Sequence, residues 1–228
     1  MKALYKQLLK ILGQLLVGFI IATFFWVLIY KWVPIPVTPL MTIRYLEGTA
    51  PVFEHDWEPI SNISKHLQLA VICSEDQKFV HHKGFDIAAI KKAWQQNLAG
   101  KNLKGASTIS QQTSKNVFLW PSRSWIRKGF ETYFTFLIEF LWSKERILEV
   151  YLNSIEMGNG IYGAQAASQY WFGKEASKLS RYEAAGIAAI LPNPRKYKAQ
   201  PATKLIQRRK EWIVRQMGYY GPFNITEK

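Results

Sequence analysis

Residues 105–116 read GASTISQQTSKN, and what this stretch builds decides the character of the fold around it. Thr108 and Gln111 stand at capping-box spacing: the hydroxyl accepts from an amide one turn on, and the glutamine side chain reaches back to the cap. The spacing predicts a helix opening there and running toward Asn116. A glycine followed by hydroxyls at a helix start presents free backbone N–H groups, a setting that attracts phosphate. Lys115 and Asn116 follow two turns later. The stretch is not a nucleotide P-loop, which needs glycine, lysine and hydroxyl at GxxxxGK[ST] spacing.

Two neighbouring blocks carry charge in patterns that could do chemistry. Upstream, residues 74–84 read SEDQKFVHHKG, with Glu75 and Asp76 closing an apolar run and Phe79, His82 and Gly84 following at short intervals. An acidic pair at the end of an element is usually a cap or a surface ion pair, and a lone histidine is more often structural than catalytic. Downstream, residues 123–131 read RSWIRKGFE. Arg123 and Arg127 lie four apart on a helix face, with Lys128 beside them and Glu131 one turn on. Such arginines repel unless an anion sits between them, and a diphosphate would be one. An exposed basic helix end with an Arg127–Glu131 pair is the plainer reading.

The rest of the body reads mainly as helices. Asp86 caps a helix whose Ile87, Ile90, Ala93, Trp94 and Leu98 share a face and whose stop is Gly100. Another runs from about Ser124 to Trp142, with aromatic residues over more than one face, in the core or against lipid. Ser143 caps a helix through Tyr151, and Ser180 with Glu183 forms a second capping box before an apolar stretch ending at Pro192. A basic helix covers about 202–216. Before all of these, prolines 34, 36 and 39 stiffen a linker, followed by an extended, polar stretch from about Thr42 to Trp57.

The N-terminus sets the compartment. Ile11 to Tyr30 is a run of 20 residues without a charge, enough for a helix of about 30 Å, the thickness of a bilayer core. It does not end in a small-x-small cleavage site, so an uncleaved anchor is expected. Lys2, Lys6 and Lys10 precede it, which places the tail in the cytoplasm and the body outside. Of 30 basic residues only four flank this run, and all 16 acids lie beyond it. The body therefore still carries ten more basic than acidic side chains and favours anionic partners. With the body outside the cytoplasm, nucleic acid is set aside. The single cysteine, Cys73, excludes an intrachain disulfide and a thiolate metal cluster. The expected division is a tail 1–10, an anchor 11–30, a linker and extended stem 31–57, and a catalytic body 58–228.

Taken in order, the blocks resemble the peptidoglycan glycosyltransferase family. Glu-Asp-x-x-Phe-x-x-His-x-Gly is met from Glu75 to Gly84, and Gly-x-Ser-Thr-x-x-Gln-Gln-x-x-Lys-Asn from Gly105 to Asn116. Arg-Lys-x-x-Glu is met by Arg127, Lys128 and Glu131; ILEVYLNSIEMGNGIYG and YEAAGIAAILPNPRKY supply the fourth and fifth blocks. The match is closest to the short, monofunctional members, with Met157 where an aromatic is common. No Ser-x-x-Lys occurs, so no transpeptidase activity is expected.

The resemblance implies a mainly α, lysozyme-like, two-lobed helical domain behind an N-terminal transmembrane helix. It implies polymerisation of lipid II into linear glycan strands. The growing, lipid-diphosphate-linked strand is transferred to the 4-hydroxyl of lipid II, with inversion to a β-1,4 bond and release of undecaprenyl diphosphate. Glu75 is the general base by this reading, and Glu131 a second carboxylate that orients cations or assists departure. Ser107, Thr108, Gln112, Lys115, Asn116, Arg123, Arg127 and Lys128 bind substrate, and Asp76 and His82 support Glu75. No cofactor is required by the sequence; a divalent cation, magnesium or manganese, has room at the diphosphate, but no dedicated metal ligands are expected. Lipid II, the nascent strand and membrane lipids are the expected partners, with other cell-wall synthases or division proteins as further candidates. The body is expected on the periplasmic side of the inner membrane. The rivals are a lysozyme-like hydrolase, which would have no use for the cations, and a non-catalytic membrane scaffold.

Overall fold

The computed structural model describes residues 2–49, 52–98, 107–122, 124–221, 223 and 225. Its contacts divide the chain into two units, one ending at Pro34 and the other beginning at Ile35. The first is helix α1, Lys2–Ile29. Within it Leu4–Ile29 is long and apolar enough to cross a membrane, and its leucines, isoleucines and phenylalanines point outward, as a lipid-facing surface requires. The helix continues through the expected tail to Lys2, because Leu4, Leu8 and Leu9 are good helix formers and nothing breaks the turn between them.

Residues 42–46, expected to be extended, belong to helix α2, Pro39–Leu46. Thr38 caps it by accepting from the Met41 amide at 3.3 Å, and Pro39 takes the first turn, where its missing N–H costs nothing. The prolines read as linker stiffeners thus include a helix start.

Among the described residues, six of the eight further α-helices form two groups. Helix α3, Lys65–Glu75, α9, Arg181–Ile190, and α10, Lys204–Tyr220, pack on one another. Every residue from Leu67 to Cys73 is buried, so α3 is a core helix, its one buried amide, Gln68, donating to the Ile60 and Ile63 carbonyls. The alanines and Gly186 of α9 let its backbone come close, while α10 inserts Ile206, Ile213 and Met217. The second group is α5, Ile109–Phe118, α6, Trp125–Leu141, and α7, Lys144–Ser154. Phe118 stacks on Phe134 across α5 and α6 with ring centroids 4.6 Å apart. A small sheet, β1 (Glu54–His55), β2 (Glu156–Gly158) and β3 (Ile161–Tyr162), lies in the order β1-β3-β2. Helices α4 (Ile87–Leu98) and α8 (Ala164–Phe172) complete the unit.

The cap signals are realised. Thr108–Gln111 and Ser180–Glu183 are full capping boxes, Ser124 and Ser143 cap α6 and α7, and Asp86 accepts from the Ala89 amide at 2.9 Å. Gly100, the expected stop of α4, lies outside the described residues. The basic helix runs two residues later at its start and four later at its end than expected, because Thr203 is its cap. Burial adds what patterning left open. The apolar face of α4 is open, with Ile87, Ile90 and Trp94 exposed. The aromatics of α6 divide, Phe134 being buried while Phe136 and Phe140 stand exposed and stacked on each other.

Gly84 explains why the first motif ends in glycine. Its φ is +86°, and a Cβ there would lie 2.9 Å from Thr135 Cγ2 and 3.0 Å from Glu139 Cγ of α6. Its carbonyl accepts from the Thr108 hydroxyl at 2.6 Å, so the turn is pinned between two helices. Gly84→Ala is therefore expected to lower stability by about 2 kcal/mol or more, read by urea denaturation, since both backbone strain and overpacking oppose it.

Candidate active site

The site forms where α3 ends. Asp76 is the C-terminal cap residue of α3. Its carboxylate accepts from His82 Nε2 at 3.0 and 2.9 Å and from the Ile109 amide at 3.0 Å. One acid thus joins the end of one helix to the start of α5. This refines the supporting role expected of Asp76 and His82: they lock α5 onto α3 and reach Glu75 through the backbone. Glu75 makes its own contacts, with Gln112 Nε2 donating at 3.1 Å and Ser74 Oγ at 3.3 Å. Tyr151, fully buried in α7, donates to Gln112 Oε1 at 3.1 Å. This fixes the amide so that its NH2 faces the carboxylate. Burial, with Glu75 and Asp76 nearby, raises the Tyr151 pKa well above the usual phenol value, so its hydroxyl stays a donor.

The Glu75–Gln112 contact joins residues that line two different cavities. One, of about 370 Å³, is lined by Glu75, Asp76, Lys78, Asp86, Lys92, Ser107 and Thr108. The other, of about 570 Å³, is lined by Gln112, Lys115, Asn116 and Arg127, with Arg44, Trp120, Glu156 and Arg195 opposite. The first offers a carboxylate, the second a concentration of cations.

Glu131 organises those cations. It is buried, accepts from Arg127 Nη1 at 3.1 Å and is bonded to Lys128 through its other oxygen. Lys115 is reachable along the cleft but crowded by protein. Desolvation lowers its pKa below the ordinary lysine value; Glu131 opposes this, and Arg127, Arg44 and Lys128 add to it. Three cations around one carboxylate leave a local excess of positive charge, which suits an anion of more than one charge.

Of the expected site residues, the structure brings Glu75, Ser107, Thr108, Gln112, Lys115, Asn116 and Arg127 to the two cavities, with Glu131 paired to both Arg127 and Lys128. Arg123 lies outside the described residues. Thr108 lines the first cavity, but its hydroxyl donates to Gly84 and accepts from the Gln111 amide, so its polar atom is spent on the fold. Sequence reasoning missed Arg44, Glu156, Tyr151 and Arg195. Arg44 and Glu156 form an ion pair joining α2 to β2. Glu156 and Tyr151 stand inside the fourth block, where their place in the pattern could have been weighed; Arg44 lies in the supposed stem, where no signal marks it. Glu139 is another. It binds Ser110 of α5 and Lys144 of α7, the latter at 2.7 Å.

Comparison with known proteins shows what the chain is similar to. Residues 45–218 match the model of a family described as Transglycosylase. A biosynthetic peptidoglycan transglycosylase of Bacteroides thetaiotaomicron is 52% identical over 228 residues, covering 98% of this chain and 92% of its relative. Proteins of the same name from Pseudomonas putida and Aeromonas hydrophila are 50% and 47% identical, over 95% and 99% of this chain and 93% and 97% of their own lengths.

Proposed function

The chain belongs to the transglycosylase family, and on that premise we propose that it polymerises lipid II into peptidoglycan strands through the two cavities linked by the Glu75–Gln112 contact. The observation that carries this reading is the Gln112–Glu75 contact, which sets a carboxylate in one cavity against the cations of the other.

The acceptor sugar presents its 4-hydroxyl to Glu75, which takes the proton as O4 bonds to the anomeric carbon of the growing strand. The bond from that carbon to the lipid diphosphate breaks with its electron pair going to the diphosphate. Attack from the opposite face turns an α linkage into a β-1,4 bond. Lys115, Arg127 and Lys128 stabilise the negative charge that gathers on the departing oxygen, so they lower the barrier as well as bind. Asn116 and Ser107 hydrogen-bond sugar or phosphate oxygens in this reading, and Arg123, four residues before Arg127 in the sequence, joins the cations. Among the described residues no three His, Cys, Asp or Glu side chains converge as metal ligands. A divalent ion would therefore draw its oxygens mainly from the diphosphate.

The membrane anchor holds the enzyme where its lipid-linked substrate lies, which raises effective concentration. The lysines before it favour a cytoplasmic tail and a periplasmic body at the inner membrane. The exposed Trp125, Ile126, Phe136 and Phe140 of α6, with Ile87, Ile90 and Trp94 of α4, suit contact with acyl chains or the isoprenoid.

The test is incubation of the detergent-solubilised protein with labelled lipid-linked disaccharide-pentapeptide, followed by separation of products by length. A ladder of polymer that lysozyme digests supports the reading. Soluble sugars released from preformed strands would support a hydrolase instead, and an inert protein a scaffold.

A further inference from the structure

Helix α10 lies outside every block that carries the sequence resemblance, yet it reaches the carboxylate at the centre of the site. Its buried positions are Ile206, Ile213 and Met217, and Arg209 falls on the same stripe, three residues after the first and four before the second. An amphipathic helix normally places an apolar side chain there. Arg209 instead directs Nη2 toward Glu75 Oε1 at 3.8 Å. Its buried Nε has no hydrogen-bond partner among the described residues. A buried donor left without a partner is costly and calls for a reason.

We propose that Arg209 is the positioning residue for Glu75, holding from α10 the carboxylate oxygen that α5 leaves free. This rests on the reading of Glu75 as the base. The two carboxylate oxygens are divided between helices. Oε2 accepts from Gln112 of α5; Oε1 has the Ser74 hydroxyl at 3.3 Å and Arg209 beyond it. At 3.8 Å the guanidinium attracts the carboxylate but is too far to occupy a lone pair, so Oε1 is steered and still open to a proton. No other cation is paired with Glu75 among the described residues. Asp76 is another acid, already bound to His82, and Tyr151 of α7 spends its hydroxyl on Gln112. A second contact, Gln77 Nε2 to Gln216 Oε1 at 3.2 Å, braces α10 against the same end of α3.

The experiment measures kcat and KM for polymerisation of lipid-linked disaccharide-pentapeptide by the full, detergent-solubilised chain. It compares wild type, Arg209→Met, Arg209→Lys and Glu75→Gln, with a melting curve for each. Arg209→Met is expected to lower kcat about fivefold, the size of a partly exposed ion pair, with KM changed less than about twofold. Arg209→Lys should recover most of that loss, while the Met and Lys variants melt alike, because a packing role would not depend on charge. Wild-type kcat in Arg209→Met overturns the proposal. So does a rise in KM at constant kcat, which would make Arg209 a substrate ligand, or a Lys variant no better than Met. If Glu75→Gln polymerises at the wild-type rate, the assignment of the base fails and the proposal falls with it; that arm is read independently of the Arg209 variants.

Discussion

Glu75→Gln is expected to reduce strand polymerisation by about a thousandfold, the usual worth of a positioned general base, while the protein remains folded. The substitution keeps the side chain's shape and removes only its charge and proton affinity. Gln112 can still donate to the new amide oxygen, and Tyr151 still orients Gln112. Asp76, which does the structural joining of α3 to α5, is untouched. The melting temperature should therefore move by only a few degrees, through the loss of the partly exposed Arg209 contact. Product separation by length, beside a melting curve, checks both halves. A variant that still polymerises at near the wild-type rate would remove Glu75 from the chemistry and leave the acceptor hydroxyl without a base. A variant that is inactive because it has unfolded would show it in the melting curve, and Glu75→Asp would then carry the test, as it keeps the charge but withdraws it by one methylene.

How much of this was legible before the structure depends on the range of the interaction. Thr108, Gln111, Ser180 and Glu183 were readable because a capping box is a contact between residues three apart, written in consecutive sequence. The charged cluster of Arg127 and Lys128 around Glu131 was readable for the same reason, since helical spacing alone brings each cation to the carboxylate. The Glu75–Gln112 contact joins residues 37 apart. No periodicity announces it, and only the resemblance put both in one site. Arg44 was invisible because its partner, Glu156, lies across the fold, and because its own helix was hidden behind prolines taken for a linker. The exposed face of α4 shows the opposite failure. A stripe of Ile87, Ile90 and Trp94 signals that something covers it, and sequence cannot distinguish a neighbouring helix from lipid.

Glu131→Gln is expected to reduce polymerisation about a hundredfold and to lower the alkaline limit of activity. Both carboxylate oxygens of Glu131 are committed, one to Arg127 and the other to Lys128. A nucleophile needs an oxygen free to attack, so this geometry favours a counter-ion over a covalent intermediate. With the charge removed, Arg127 and Lys128 repel each other and lose the fixed arrangement that faces the diphosphate; loss of two charge-assisted bonds should also cost about 2 kcal/mol of stability. Lys115 supplies the pH signature. Desolvation already holds its pKa below that of an ordinary lysine, and Glu131 is the group that opposes the shift. Removing Glu131 deepens the depression, so Lys115 loses its proton at a lower pH and the cation is missing sooner as pH rises. The alkaline limb of kcat/KM should move toward neutrality in Glu131→Gln, whereas Lys115→Arg, whose guanidinium stays charged, should push it back in the double variant. If the limb does not move when Glu131 is neutralised, Lys115 is not the group that titrates there. A strand that retained its anomeric configuration would point instead to attack by a carboxylate and two successive displacements.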